Sequence, residues 1–298
     1  KPAKVSIKEA KAVGVQKVQV TLDRDVDTSK ATFTLKKGTQ SITLDKTEWS
    51  DDKKTATLTL KDVKISEGTY TVTLGGLDAS EIDQASASFT AENEKVTKLE
   101  FVNPSDKIAK SEAVTIKIQA LNQYGELATL SGGNYTAYVG GATITPKRNQ
   151  DTGYLELTID TSNKQSEIDV IPVTVFLNNS AVSVQKTFKV GTEPYVAKIE
   201  LGNVKYPSDQ GALSSEGEIA EIPITRYDQY GDIIAYHENY KQEFKDRLKV
   251  DAIITPYSYD SLVIVDKGVV DQDHYDKIKI RLDKNVEKDT EYNVMVYV

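Results

Sequence analysis

The densest group of side chains that could do chemistry is a run of carboxylates near the end of the sequence. Asp266, Asp271, Asp273 and Asp276 all lie within residues 266–276. Close carboxylates repel one another unless a cation lies among them, and Ca²⁺ takes about six to eight oxygen ligands in a flexible geometry. The simpler interpretation is a solvated acidic face. The alternative is a structural Ca²⁺ site, for which these four aspartates are the candidate ligands.

Two other groups have the right residue types but the wrong spacing. Asp23, Asp25 and Asp27 match the first ligands of an EF-hand calcium loop, but threonines occupy the positions where that loop needs glycine and glutamate. The two histidines, His237 and His274, each lack a second histidine two to four residues away. We therefore expect neither an EF-hand, nor a zinc site, nor a catalytic triad.

Catalytic motifs are missing from the sequence. There is no cysteine, which excludes thiol catalysis, disulfides, zinc ribbons and iron–sulfur clusters. No Gly-x-Ser-x-Gly elbow, Walker-type phosphate loop or Gly-x-Gly-x-x-Gly fingerprint occurs. The sequence therefore predicts a protein that is not an enzyme.

Charge argues against nucleic-acid partners, and hydropathy argues against a membrane-spanning helix. The 298 residues contain 37 Lys and Arg against 45 Asp and Glu, a net charge of −8. Nucleic-acid binding needs a basic face, so DNA and RNA are not expected as partners. The longest apolar stretch, 170–177, is far too short for a membrane-spanning helix. We predict no membrane span.

An internal repeat sets the organisation of the chain. Val96-Thr-Lys-Leu-Glu-Phe-Val-Asn103 returns 100 residues later as Val196-Ala-Lys-Ile-Glu-Leu-Gly-Asn203, and Asn122-Gln-Tyr-Gly-Glu126 returns as Asp228-Gln-Tyr-Gly-Asp232. Two matches in the same order indicate duplicated units. The sequence before them shows a looser version. We predict three modules, at residues 1–92, 93–192 and 193–298.

Within the modules the apolar residues alternate with polar ones, which is typical of strands with one buried face. Examples are Val18/Val20/Leu22, Ala56/Leu58/Leu60, Val114/Ile116/Ile118 and Ile278/Ile280/Leu282. Glycine and asparagine turns separate these runs. Many short strands with one wet face indicate two packed sheets. We expect an all-β chain of three tandem immunoglobulin-like β-sandwich domains.

One segment departs from this alternation. Tyr236, Tyr240, Phe244 and Leu248 are spaced by four residues, with charged residues between them. This spacing predicts a short amphipathic helix near 237–249. We interpret it as a cap on one end of the third sandwich, with a docking surface as the alternative.

The joins between modules are short. They fall near 91–95 and 191–194, and neither is rich in glycine or serine, so adjacent modules should have restricted orientations in a semi-stiff tandem. The first two modules are each neutral, and the third carries the whole charge of −8. The first residues, 1–5, resemble these joins and the last, 292–298, have the pattern of a strand, which suggests a piece of a longer array.

Several motifs of the first module resemble a known family. The runs Trp49-Ser-Asp-Asp-Lys-Lys-Thr-Ala-Thr-Leu58 and Glu67-Gly-Thr-Tyr-Thr-Val-Thr73, preceded by a turn at Val26-Asp27, are similar to the immunoglobulin-like modules of bacillar S-layer proteins. The two Gln-Tyr-Gly turns resemble those of related modules in the same proteins and in adhesins.

The resemblance implies a structural role. The chain would belong to the crystallising region of a surface-layer protein and form a two-dimensional array with copies of itself on the cell exterior. Other domains would bind the cell-wall polymer. Such arrays are often Ca²⁺-dependent, with ions at module junctions, so Ca²⁺ should raise the melting temperature and compact the third module. The alternatives are an adhesin stalk, a carbohydrate-binding module, or an accessory region of an extracellular enzyme.

Overall fold

Strands of alternating burial make up most of the regular structure in residues 4–256, 261–284 and 290–298, which the computed structural model describes. In the run Thr55–Leu60, for example, Ala56, Leu58 and Leu60 are buried and the threonines between them are partly exposed. Alternation arises because successive side chains of a strand point to opposite faces of the sheet. The predicted all-β class is confirmed.

The first predicted module contains two four-stranded sheets around one core. Its strands are β1 (Ile7–Gly14), β2 (Lys17–Leu22), β3 (Thr32–Lys37), β4 (Gln40–Ile42), β5 (Leu44–Trp49), β6 (Thr55–Leu60), β7 (Gly68–Gly75) and β8 (Ser86–Ala91). The sheet orders are β1-β2-β6-β5 and β4-β3-β7-β8. Val20 and Leu58 from one sheet and Leu35 and Val72 from the other belong to a single buried cluster. This arrangement is a β-sandwich.

The second predicted module also has two sheets. Its strands are β9 (Val96–Phe101), β10 (Lys107–Ile108), β11 (Val114–Asn122), β12 (Tyr135–Val139), β13 (Ala142–Ile144), β14 (Lys147–Arg148), β15 (Leu155–Ile159), β16 (Val170–Leu177) and β17 (Ser183–Val190). The sheet orders are β10-β17-β16-β12-β13 and β14-β15-β11-β9. The short strand β10 pairs with β17 in parallel.

The third predicted module has fewer strands among its described residues than the first two. Its elements are β18 (Lys198–Leu201), β19 (Ile219–Tyr227), α1 (Gln242–Arg247), β20 (Asp251–Thr255), β21 (Leu262–Val265), β22 (Lys277–Leu282) and β23 (Asn293–Tyr297). A four-stranded sheet, β18-β19-β22-β21, faces a two-stranded sheet, β20-β23. Ile222, Ile224, Ile278 and Ile280 form the buried core, against which Val294 of β23 packs. The predicted β-sandwich architecture is confirmed.

The helix forms where four-residue spacing predicted one, but it is shorter. It occupies Gln242–Arg247 rather than the whole of 237–249. Tyr240, Phe244 and Leu248 are buried together with Ile234 and Tyr275, so burial of the apolar face holds the helix in place. Within the described residues, no helix is long and apolar enough to cross a membrane.

Contacts divide the chain into two compact units. One unit contains Lys1–Lys98 and Ala120–Thr129, and the other contains Leu99–Gln119 and Leu130–Val298. The first Gln-Tyr-Gly turn thus belongs to the first unit and the second turn to the second unit. The limits 1–92, 93–192 and 193–298 stay a prediction.

Candidate junction sites at the two Gln-Tyr-Gly turns

The first Gln-Tyr-Gly turn is closed by the side chain at its first position. Asn122 Oδ1 accepts hydrogen bonds from the backbone N–H groups of Tyr124 and Glu126, both at 3.0 Å. Gly125 has a φ of 77°, a left-handed conformation that glycine adopts without steric cost. Asn122 is buried, so the side chain that closes the turn is itself packed within the first unit.

Gln123, the second residue of this turn, holds the segment that precedes β9. Its Oε1 accepts the N–H of Lys95 at 2.8 Å, and its Nε2 donates to the carbonyl of Asn93 at 2.9 Å. Its own N–H donates to the carbonyl of Lys95 at 3.0 Å. The Gln123 side chain therefore bonds both an N–H group and a carbonyl of residues 93–95.

The fifth residue of the first turn reaches the hairpin between β1 and β2. Glu126 Oε2 accepts the N–H of Val15 at 2.9 Å. The neighbouring glycine, Gly14, leaves room for this carboxylate, because a Cβ there would lie 2.5 Å from Glu126 Oε1. Glycine at this position therefore lets the carboxylate approach without displacement of the Glu126 side chain.

The second turn repeats the closure with an aspartate. Asp228 Oδ1 accepts the N–H groups of Tyr230 at 2.8 Å and Asp232 at 3.0 Å. Gly231 has a φ of 83°. Burial raises the pKa of Asp228, and the backbone N–H donors oppose that effect. The same five-residue geometry is therefore built from Asn in one copy and Asp in the other.

Gln229 holds the segment at residues 192–195 as Gln123 holds the segment at residues 93–95. Its Oε1 accepts the N–H of Tyr195 at 3.2 Å, and its Nε2 donates to the carbonyl of Glu193 at 2.9 Å and to Thr192 Oγ1 at 3.1 Å. The Tyr230 hydroxyl accepts the N–H of Thr192 at 2.8 Å. Gly191 must be small here, because a Cβ would lie 2.0 Å from that hydroxyl.

The fifth residue of the second turn is a buried acid. Asp232 is 6% exposed, and its Oδ1 accepts a hydrogen bond from Asn103 Nδ2 at 2.7 Å. Its Oδ2 is buried without a hydrogen-bond partner among the described residues. Burial, with the nearby Asp228 carboxylate adding to it, raises the pKa of Asp232 to about 6, although the bond from Asn103 lowers it.

A buried arginine anchors the helix beside the second turn. Arg226 is 2% exposed. Its Nε donates to the carbonyl of Leu248 at 3.0 Å and its Nη1 to the carbonyl of Tyr275 at 2.6 Å. The guanidinium carbon lies 4.0 Å from the centre of the Tyr275 ring, a cation–π contact. Arg226 thus ties the end of α1 to the turn before β22.

The helix segment also reaches back along the chain. The Tyr240 hydroxyl donates to the carbonyl of Ala113 at 3.2 Å, and burial raises the pKa of Tyr240 to about 12. Its ring meets that of Phe244 edge to face, with 4.9 Å between centres. The apolar face of the helix is therefore covered within its own unit.

The structure places two of the four candidate Ca²⁺ ligands around one imidazole. Asp266 Oδ2 lies 3.0 Å from His274 Nε2, and Asp271 Oδ1 lies 2.6 Å from His274 Nδ1. The bond to His274 lowers the pKa of Asp271. Asp273 and Asp276 are exposed. Over the described residues, no three His, Cys, Asp or Glu side chains are arranged to hold a metal ion. The four-residue Ca²⁺ site stays a prediction.

The junction roles of the glutamines and acids were missed in the sequence. In the sequence the Gln-Tyr-Gly runs indicate a repeat and a turn, and they predict no contact for Gln123, Gln229 or Asp232. A signal was present, since both copies share glutamine at the second position and an acid at the fifth. A turn alone needs only the Asn or Asp and the glycine.

Replacing Gln229 by alanine should loosen the second linker. The variant loses three side-chain hydrogen bonds, and because they are partly exposed we expect a loss of about 1–2 kcal/mol in the free energy of unfolding. Amide exchange of Tyr195 should become faster. Gln229→Glu is the matched control, because it keeps an acceptor for the Tyr195 N–H while it replaces the donor by a charged carboxylate oxygen. Unchanged Tyr195 exchange in the alanine variant would contradict the assigned role.

No protein-family model matches the chain, and no curated protein matches it. Solved structures similar to it include the N-terminal part of the bacterial S-layer protein SbsC, at 19% identity and a TM-score of 0.34 over 63% of this chain and 44% of that one. The S-layer protein rSbsC is similar at 13% identity and a TM-score of 0.29 over 99% and 53%. The Escherichia coli adhesin FdeC is similar at 15% and 0.27 over 99% and 91%. The chain spans about half the length of the SbsC structures. S-layer proteins, which the sequence motifs resemble, are thus among the similar structures.

Proposed function

We propose that this chain is a structural, non-enzymatic part of a self-assembling surface layer on the outside of a bacterial cell. The observation that carries the proposal is the repeated use of a Gln-Tyr-Gly turn to fix a linker: Gln123 binds residues 93 and 95, and Gln229 binds residues 192, 193 and 195. The S-layer-like motifs of the first module agree with it.

Fixed linkers matter for a lattice because association costs conformational freedom. A segment whose linker is already ordered loses less entropy when it joins an array, so weak repeated contacts suffice. The outer face of the β7–β8 pair supplies polar contact groups. Thr71 and Ser88 share a hydrogen bond at 2.8 Å across the two strands, and Thr73 and Ser86 share one at 2.9 Å. Copies of the same chain are the partners that we propose, with Ca²⁺ reducing repulsion around the acidic third module.

Electron microscopy of the complete gene product, reassembled with and without Ca²⁺, tests this proposal. We expect ordered sheets, with order lost in excess chelator. In parallel, Ca²⁺ should raise the melting temperature of the 298-residue chain, and D266N/D271N should reduce that rise. Mg²⁺ at equal ionic strength is the control for general charge screening.

Sheet formation and the effect of Ca²⁺ test different parts of the proposal. Sheets that form equally well in chelator, with an unchanged melting curve, would remove Ca²⁺ from the proposal and keep assembly. Failure to form sheets, together with glycan binding by the chain, would instead favour an adhesin stalk or a carbohydrate-binding module.

A further inference from the structure

The second module has a sheet face whose central strands present no charged side chain to the outside. In the sheet β10-β17-β16-β12-β13, Ala137, Val175 and Phe188 point to the core and are each 0% exposed. Because successive side chains of a strand point to opposite faces, the residues between these point outward. We call these outward residues the neutral face: Thr136, Tyr138, Thr143, Val170, Pro172, Thr174, Phe176, Ser183, Gln185 and Thr187.

Outer faces of two other sheets do carry charges. Lys46 and Glu48 lie on the outside of the sheet β1-β2-β6-β5. Glu221 and Lys279 lie opposite each other on the outside of the sheet β18-β19-β22-β21. Charged residues make up 28% of the chain, so their absence from the neutral face distinguishes this surface from those two.

The charges at one end of the neutral face are paired. Lys189 follows Thr187 on the outside of β17, and Lys107 of β10 lies beside it. Both ammonium groups contact Glu167 Oε2, at 3.1 Å from Lys189 Nζ and 3.0 Å from Lys107 Nζ. The charges at this end of the sheet therefore partly cancel.

The neutral face also exposes apolar side chains. Tyr138 is 47% exposed and Val170 57% exposed. The Tyr138 ring lies 5.5 Å from the ring of Phe176, measured between centres, and Pro172 is exposed on β16. Exposed apolar groups that lie together on a surface mark interaction sites.

A second copy of the same chain fits an uncharged face. In a two-fold contact the same patch of each copy meets itself, so a patch with a net charge repels its own copy. The chain has a net charge of −8, and copies therefore repel one another on average. An uncharged face lets two copies approach without adding to that repulsion.

The size of the neutral face indicates a weak contact. β16 has eight residues and, at about 3.3 Å per residue, spans about 26 Å. Strands lie about 4.8 Å apart, so the five strands give a face of about 500 Å² on each copy. Two such faces bury about 1,000 Å² in total, which is the lower limit for a specific interface. A contact of this size is weak alone and becomes effective when it is repeated in an array.

We propose that the neutral face packs on the neutral face of a second copy, about a two-fold axis near Thr174. This inference rests on the proposed assembly from copies of one chain and names one of its contacts. Thr174 is central, because β16 lies between β12 and β17 and Thr174 is opposite both Tyr138 and Gln185. Sheets packed face to face lie about 10 Å apart, so the side chains at position 174 of the two copies meet.

Charge exchange at position 174 tests the proposal. Sedimentation velocity over a wide range of concentration measures self-association of the 298-residue chain. Thr174→Glu and Thr174→Lys should each raise the dissociation constant by at least about tenfold, because like charges then face each other. An equal mixture of the two variants should restore association to within about threefold of the unmodified chain, because unlike charges then meet.

Thr57 provides the matched control. It is an outward threonine on β6, an inner strand of the sheet β1-β2-β6-β5, and lies opposite Gln19 and Glu48. Thr57→Glu and Thr57→Lys should leave the dissociation constant unchanged, and unchanged melting temperatures show that all four variants fold. Because the chain has no cysteine, a bismaleimide reagent gives a second readout: Thr174→Cys should yield a cross-linked dimer and Thr57→Cys should not.

Several results would overturn the proposed contact. One is an unmodified chain that stays monomeric at every concentration, and another is variants at position 174 that associate as tightly as the unmodified chain. Weakening by both variants that mixing does not restore would assign the neutral face to a different surface of the next copy. A monomeric chain whose Tyr138 resonances shift on addition of the neutral oligosaccharide cellohexaose would assign the face to a glycan.

The complete gene product separates this contact from the proposed function. Ordered sheets formed by its Thr174→Glu variant would leave surface-layer assembly in place and remove the neutral face from it. Association of the 298-residue chain through the neutral face, without sheets from the complete gene product, would support the contact and contradict surface-layer assembly.

Discussion

Replacement of Arg226 by alanine is expected to lower the free energy of unfolding of the second unit by about 3–5 kcal/mol. The side chain is 2% exposed and donates to the carbonyls of Leu248 and Tyr275. Its removal leaves two backbone carbonyls without these donors and a cavity beside the Tyr275 ring. Urea unfolding followed by far-ultraviolet circular dichroism measures the loss.

The Arg226→Lys variant separates the contribution of the positive charge to stability from that of the guanidinium geometry. Lysine keeps the positive charge but lacks the planar fork, so it cannot reproduce both bonds and the contact with the ring. We expect an intermediate loss. Trp49 is the single tryptophan and packs against Phe33 in the first unit, so its fluorescence serves as an internal control. A loss below about 1 kcal/mol for the alanine variant would contradict the anchoring role.

The second large effect is a pH dependence produced by Asp232. Its pKa of about 6 in the folded chain exceeds the ordinary aspartate value of about 3.9 that applies to the unfolded chain. Between these values the folded state binds the proton more tightly, so folding takes up protons. The stabilising contribution is therefore fully present below about pH 4 and is lost as the pH rises through 6, by about 3 kcal/mol for two pKa units.

Asp232→Asn should remove this loss. The asparagine keeps an oxygen for the bond from Asn103 and has no buried charge. At pH 4 the variant and the unmodified chain should be about equally stable, and at pH 7 the variant should be the more stable by about 2–3 kcal/mol. Urea unfolding at pH 4, 5, 6 and 7 checks this. Glu126→Gln, at the same position of the first turn, is the control. An advantage of Asp232→Asn that is the same at every pH would contradict the assignment.

The strands could be predicted because the alternation of apolar and polar residues is visible within each short segment of sequence. Ile278, Ile280 and Leu282 alternate with charged residues, and all three are buried in β22. The helix was predictable for the same reason, since Tyr240, Phe244 and Leu248 form one face at four-residue spacing. Its start at residue 242 was not, because a turn in which the Tyr240 N–H bonds the His237 carbonyl precedes it.

The contacts at the junction were less predictable, because their partners are distant in the sequence. Arg226 continues the alternation of Ala220, Ile222 and Ile224 in β19, yet a charged side chain is expected in solvent unless it is paired. Its acceptors come from residues 248 and 275. Spacing also grouped the four aspartates of 266–276, but only the fold shows that Asp266 and Asp271 share His274. Pairing partners of this kind depend on tertiary structure.

The position of Gln229 relative to the linker has a consequence for evolution. Gln229 and the groups that it binds, two of the backbone and the Thr192 hydroxyl, all lie within residues 192–229, in one continuous stretch of coding sequence. A duplication of that stretch copies Gln229 together with the linker residues that it binds. Genes for chains of this kind can therefore grow by recombination, and each inserted copy already contains the residues that restrain its own connection.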